Sequence, residues 1–350
     1  MRSYFPKSFL TLKQKRDCRR IFPAFPAEFP PIPEPQGPPT VMTWNLYLGA
    51  DFTPLVIATT PAELRQAVTE VFRQFLATNF PVRVEAIVKQ IILKKPDIIG
   101  LQEAELWQLF VPGVQTVTYN FIEILLNELK KMGLDYEVAA KNENNSVQLP
   151  SSNGNIVGFL DRDVILIRKD SGLKVIQRQE ANFQAKLTIP VGGQPFTIPR
   201  GWSSIDVSAN GRIFRIINTH LEPLSPPVQV AQGNELLTGP ANTNLPLILL
   251  GDLNSNANGT GTPTYGNLIN AGFQDAWTRV GKGQGFTCCQ DPDLLNAISS
   301  LNRRIDFILF KNGWIPIMAD VVGEEQHDRT STALWPSDHA GVFASLVLPS

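Results

Sequence analysis

The stretch Leu245-Pro246-Leu247-Ile248-Leu249-Leu250-Gly251-Asp252-Leu253-Asn254 decides the fold. Its centre is apolar at every position, without the polar alternation of a half-exposed strand. That pattern predicts a strand covered on both faces. The run stops at Gly251, and an acid and an amide follow at once. A strand end is a rigid platform that can aim such groups into a cleft.

Outward from this strand the same grammar repeats. Val41 to Leu46, Pro96 to Leu101, Asp163 to Arg168, Ile205 to Val207, Arg212 to Thr219, Arg304 to Phe310 and Gly341 to Leu348 read as strands. Ser208-Ala209-Asn210-Gly211 is a hairpin turn, because Asn-Gly tolerates positive φ. Pro61 to Leu76 reads as a helix capped by Thr60, with Glu63 three residues later. Pro81 to Leu93 and Asn120 to Lys131 carry apolar residues at helical spacing. Strands and helices mixed this way predict two mixed sheets packed face to face, with helices on the outer faces: a four-layer α/β/β/α sandwich.

Residues 1–40 read as a flexible tail, first basic and then proline-rich, and 41–350 as one catalytic domain. Prolines crowd the segment from Pro23 to Pro39, which favours extended conformations over a core. Residues 1–20 hold seven bases and one acid, leaving 24 bases, 31 acids and a charge of −7 on residues 21–350. An acidic body disfavours tight, sequence-independent binding of duplex nucleic acid, which runs on phosphate neutralisation. The three cysteines form no CxxC pair, and Cys288-Cys289 reads as two packing thiols. No apolar run is long enough to span a bilayer. Ser8 to Leu12 is too short for a signal-peptide core, so neither stable membrane insertion nor a compartment is assigned.

Polar residues recur where the apolar strands end: Asn45, Glu103, Asn218 with His220, Asp252 with Asn254, Asp306, and Asp338 with His339. No serine elbow, catalytic-cysteine signature or glycine-rich phosphate loop accompanies them. Carboxylate and amide oxygens suit a hard divalent ion. Each motif has a plainer explanation. Gly-Asp-x-Asn is good turn chemistry, and Glu103 could serve as a helix N-terminal acid. Asp306, inside an apolar strand, needs a partner, and His339 is the obvious one. His327 lies in a polar loop and reads as solvated. Trp107 and Trp335 stand near the motifs as core or pocket aromatics.

Trp44-Asn45, Leu101-Gln102-Glu103, Asn218-Thr219-His220-Leu221, Gly251-Asp252-Leu253-Asn254, Arg304-Ile305-Asp306-Phe307 and Ser337-Asp338-His339 together resemble the ordered motifs of the endonuclease/exonuclease/phosphatase superfamily. The resemblance implies a metal-dependent hydrolase that cleaves phosphoester bonds, by preference phosphodiesters, through direct attack of water. Glu103 would be the principal ligand of Mg²⁺ or Mn²⁺, with Ca²⁺ as an alternative, and Asn45 would lie nearby. Asp338 would bind a second metal or orient its neighbours. Asp252 would orient or deprotonate the water. Asn254 would hold a phosphate oxygen or that water. His339 would face the scissile phosphate, with Asp306 fixing its tautomer. His220 matches members with a second catalytic histidine. Asp161 is its candidate partner, although Asp163 shares the same strand face. Asn218 and Arg162 complete the set as substrate contacts.

The substrate stays open between nucleic acid and a phospholipid head group, as in DNase I-like and sphingomyelinase-like members. A soluble-phosphate phosphatase of the inositol-phosphate type and a catalytically silent binding module are the alternatives. The segment from Asp51 to Asn79 is either a substrate lid or a packing helix.

Overall fold

Alternation along the Leu247–Asp252 strand organises the layers of the computed structural model, which describes residues 37–348. Ile248 and Leu250 join an apolar cluster with Ile205, Ile216 and Ile308 of their own sheet and Val41, Ile98, Ile165 and Val342 of the other. Leu247 and Leu249 join a different cluster, with Leu236 and Leu268 from the helices Pro226–Thr238 and Thr264–Asn270. One face therefore packs on a sheet and the other on helices, which is why no position could be polar.

The first sheet has eight strands. Its order is Ile315–Val322, Gly341–Val347, Thr40–Asn45, Ile98–Gln102, Ile156–Arg168, Leu106–Phe110 and Val117–Asn120, with Tyr136–Pro150 also paired to Ile156–Arg168. The second has six, in the order Gln274–Asp275, Asp306–Lys311, Leu247–Asp252, Arg212–His220, Gly201–Ala209 and Lys174–Asn182. Helices Pro61–Ala77, Phe80–Lys94 and Phe121–Lys131 cover the outer face of the first sheet, through a cluster that includes Val71, Phe75, Ile87 and Leu125. The expected four layers are the ones found.

Each sheet contains one parallel pair that points into the site. Asn45 stands beside Gln102 in one, and His220 beside Asp252 in the other. The two sheets approach closely at Gly100, where a Cβ would lie 2.6 Å from Asn218 Oδ1 and 3.0 Å from Leu250 Cβ. That gap admits the Asn218 amide between the sheets.

Residues 1–36, which include most of the expected tail, lie outside the described residues. Pro39 O accepts from Leu346 N, and Thr40 donates through N and Oγ1 to Asp97 Oδ2, so the first strand is already tied in at Thr40. In the Asp51 to Asn79 segment, Pro61–Ala77 is a packing helix. The five-residue helix Thr53–Ile57 buries none of its residues. Trp107 is core, stacked on Phe75 at 4.5 Å between ring centroids, and Trp335 is buried with Nε1 donating to Asn296 O.

Candidate active site

The site is assembled by backbone locks before any catalytic group is placed. Leu46 N donates to Gln102 O, and Ser337 Oγ donates to Asn45 O at 2.6 Å. Trp44 Nε1 donates to His339 O at 2.9 Å. These bonds seat the Ser337-Asp338-His339 loop on the end of the first strand. Arg83, wholly buried, spans the same region by donating to the carbonyls of Leu46, Tyr47, Thr78 and Pro336. Glu103 and Asn254 hold left-handed backbones, with φ of 52° and 49°. Such strain in non-glycine residues clusters at functional positions.

His339 and Asp306 form the central pair, with Nδ1 to Oδ2 at 2.9 Å. The far nitrogen, Nε2, lies 3.8 Å from Asp252 Oδ2 and 4.0 Å from Asp338 Oδ1. Burial alone would lower the imidazole, but Asp306, Asp338 and Asp252 hold it well above its ordinary value. His339 is therefore a cation in this acidic setting. Asp252 is pushed up to about 7 by burial and by Asp306. Cys289 Sγ lies 4.0 Å from His339 Nε2.

Asn45 bridges the two sheets. Its Nδ2 donates to Glu103 Oε1 and to Asp252 Oδ2, each at 3.2 Å. Glu103 Oε2 accepts from Leu48 N at 2.5 Å. Burial raises Glu103 and brings Asp338 to about 7. The buried Asp252 and the half-buried Glu103 and Asp338 thus gather around few cations. An all-oxygen, over-negative donor set fits a hard divalent cation such as Mg²⁺. Asp252, Asp306 and His339 also bring ligand atoms within 4.8 Å of one another, but His339 and Asp306 already satisfy each other.

The surroundings of His220 differ from expectation. Asp161 does not pair with it directly. Arg200 stands between them, with Nη1 3.2 Å from Asp161 Oδ2 and 3.2 Å from His220 Nδ1. Nε2 lies 3.5 Å from Asp252 Oδ2 and 3.1 Å from Asn254 Nδ2. The guanidinium and the amide nitrogen both donate, and a neutral imidazole has a single acceptor, so it accepts from one of the two. Asn254 Nδ2 also donates to Leu221 O. Burial and the Arg200 charge hold His220 well below its ordinary value, hence neutral. Asp163 is bonded to Asn144 instead, with Asn144 Nδ2 donating at 2.9 Å.

Two expected substrate contacts are corrected. Asn218 is fully buried; it donates to Leu101 O and Val164 O and accepts from Gln102 Nε2. It staples the sheets and has no free group for a ligand. Arg162 is buried and held by the protein, its Nε and Nη2 donating to Ala104 O, Glu105 O and Asn120 Oδ1. His327 is exposed, as expected.

Sequence reasoning missed Arg83, Arg200 and Glu105. Both Glu105 carboxyl oxygens are buried without a hydrogen-bond donor. Burial and the acids Asp161, Glu103 and Asp163 push it well above the carboxylate range. Arg200 had a usable signal. The Asn210-Gly211 turn pairs Ala209 with Arg212, and the register runs unbroken to Trp202 opposite Thr219. Counting on sets Arg200 next to the His220 end of that hairpin.

A two-sheet α/β sandwich with carboxylates and imidazoles converging from the strand ends of both sheets defines a hydrolytic class of fold. The family model described as "Endonuclease/Exonuclease/phosphatase family" matches residues 42–339, and the chain belongs to that family. Among solved structures it is similar to an endonuclease/exonuclease/phosphatase family protein from Bacteroides thetaiotaomicron, with 17% identity and a TM-score of 0.57. That match covers 89% of this chain and 98% of that one. It is also similar to a mannosyl-6-phosphatase of the same organism, at 18% identity and TM-score 0.56, covering 88% and 99%. A third is D. rerio TDP2 complexed with single-strand DNA product, at 15% identity and TM-score 0.52, covering 88% and 98%. No curated protein sequence matches the chain.

Proposed function

We propose that this protein is a divalent-metal-dependent phosphoesterase acting on phosphodiesters by direct attack of water. The observation that carries the reading is the His339–Asp306 pair, whose outer nitrogen faces Asp252 while Asn45 ties Asp252 to Glu103. Glu103 and Asp338 would hold the metal, with Asn45 beside them. When bound, the ion neutralises phosphoryl charge and makes water more acidic.

The protein's own groups supply the rest. Asp252, raised by burial, is basic enough to take the proton of a water placed between it and phosphorus. The new P–O bond forms as the bond to the leaving oxygen breaks in line, and the alcohol departs after taking a proton from solvent. Cationic His339 faces the non-bridging oxygens and stabilises their growing charge. His220, held neutral, stands on the same floor. Asn254 stands beside it. No covalent enzyme intermediate is needed.

The experiment is turnover of bis-p-nitrophenyl phosphate by the full chain. Activity abolished by EDTA and restored by Mg²⁺ or Mn²⁺ is expected. Turnover that survives EDTA refutes metal dependence, and no turnover with any divalent ion refutes catalysis and favours a binding module.

A further inference from the structure

Glu103, Glu105, Asn145, Asp161 and Arg200 are the polar lining of a cavity of about 280 Å³ whose remaining lining is apolar. That volume is near the lower end for ligand pockets, roughly 300 Å³. Phe52, Leu55 and Phe159 are among the apolar lining. The hairpin of Leu187–Val191 and Gln194–Ile198, which pairs with no other strand among the described residues, contributes to it as well.

The hairpin alternates. Ile189, Val191, Phe196 and Ile198 are half-buried and line the cavity, whereas Thr188, Pro190, Pro195 and Thr197 are exposed. Its tip is tied back to the short helix, with Gly192 N donating to Ala58 O at 3.1 Å. A two-stranded hairpin is marginal alone, so an apolar face left half-open is a cost the fold does not need. Helix Thr53–Ile57 adds Leu55 and Val56 to the cleft and likewise leaves its apolar side unburied. Among the described lining residues Arg200 is the one cation, and it is held by Asp161 and faces His220. A polynucleotide laid here would find apolar walls and no spare positive charge for its phosphates.

We infer that the substrate is a phosphodiester bearing a lipid-like alkyl or acyl chain, which fills this cleft while the phosphate sits at Glu103. The inference rests on the phosphodiesterase reading above and names its substrate class. Chain burial would make binding rise with length, because each methylene removed from water adds a constant increment. Phe196 and Leu55 are then specificity-determining positions.

The test uses the full chain with Mg²⁺ and a series of 4-nitrophenyl alkyl phosphates, methyl, butyl and octyl, beside single-stranded DNA. The leaving group is the same in the three esters, so only the chain varies among them. We expect kcat/KM to climb by up to roughly fourfold per methylene until the cleft is full. Phe196→Ser should lower the octyl value at least tenfold more than the methyl value. A flat or falling series, equal loss on both esters in Phe196→Ser, or DNA above octyl overturns the inference and leaves the phosphodiesterase reading standing. If no diester is cleaved, the phosphodiesterase reading itself fails.

Discussion

At the residue scale, the chemistry turns on which partner each imidazole has. His339 faces three acids and is held charged, whereas His220 faces Arg200 and is held neutral. Two histidines of the same free basicity are driven apart by environment, a common sign of divided roles. Replacing Asp306 by Asn removes the nearest support of the His339 charge. Histidine NMR should show the His339 pKa falling in Asp306→Asn, with kcat reduced by on the order of 10²-fold. An unchanged titration would break the assigned pairing. A second prediction concerns Glu324, pushed up to about 7 by burial, with Asp328, Glu325 and Asp320 adding. A carboxyl raised on folding favours the native state while it is protonated. Its contribution is full below the ordinary value of 4.5 and is lost as pH rises through about 7. Urea denaturation from pH 4 to 8 should therefore show a decline that Glu324→Gln flattens.

At the element scale, most of the architecture was legible because one periodicity spoke for each element. The Thr60 cap is an instance: its side chain accepts from Glu63 N, while Glu63 Oε2 accepts from Thr60 N. Thr60→Ala should lower unfolding free energy by about 1 kcal/mol, read from the urea midpoint. The Asn210-Gly211 turn is equally plain, with φ of 49° and 79°. What escaped were elements whose pattern is weak. Tyr136–Pro150 is a long strand broken by register shifts, and the Leu187–Val191 hairpin is exposed on one face. Asn218 was misjudged for another reason. A polar residue near a strand end can aim into the cleft or between the sheets, and only the inter-sheet packing at Gly100 decides. Asn218→Leu should thus cost on the order of 3 kcal/mol in stability, because Leu101 O, Val164 O and Gln102 lose buried partners. KM should stay near the parent value, and a large rise in KM with unchanged stability would restore the substrate-binding role.

At the scale of the whole molecule, two sheets each bring a parallel pair to the same edge, and the site exists only when both are docked. The candidate residues could be found because they stand at strand ends, where apolar pattern gives way to acids, amides and imidazoles. Arg83 could not, since a basic residue on a helix normally reads as solvated, and its burial among four carbonyls is a tertiary fact. If the proposed metal binds the native state alone, stability should rise with the logarithm of its free concentration, by about 2.7 kcal/mol at a hundred times Kd, read as a rise in Tm. The most direct test of the central claim is steady-state hydrolysis of bis-p-nitrophenyl phosphate with Mg²⁺ by the parent protein, His339→Ala and Glu103→Gln. Circular dichroism would establish that all three are folded. The account predicts that each substitution lowers kcat/KM by at least about 10²-fold; folded variants that hydrolyse the diester as fast as the parent would contradict it.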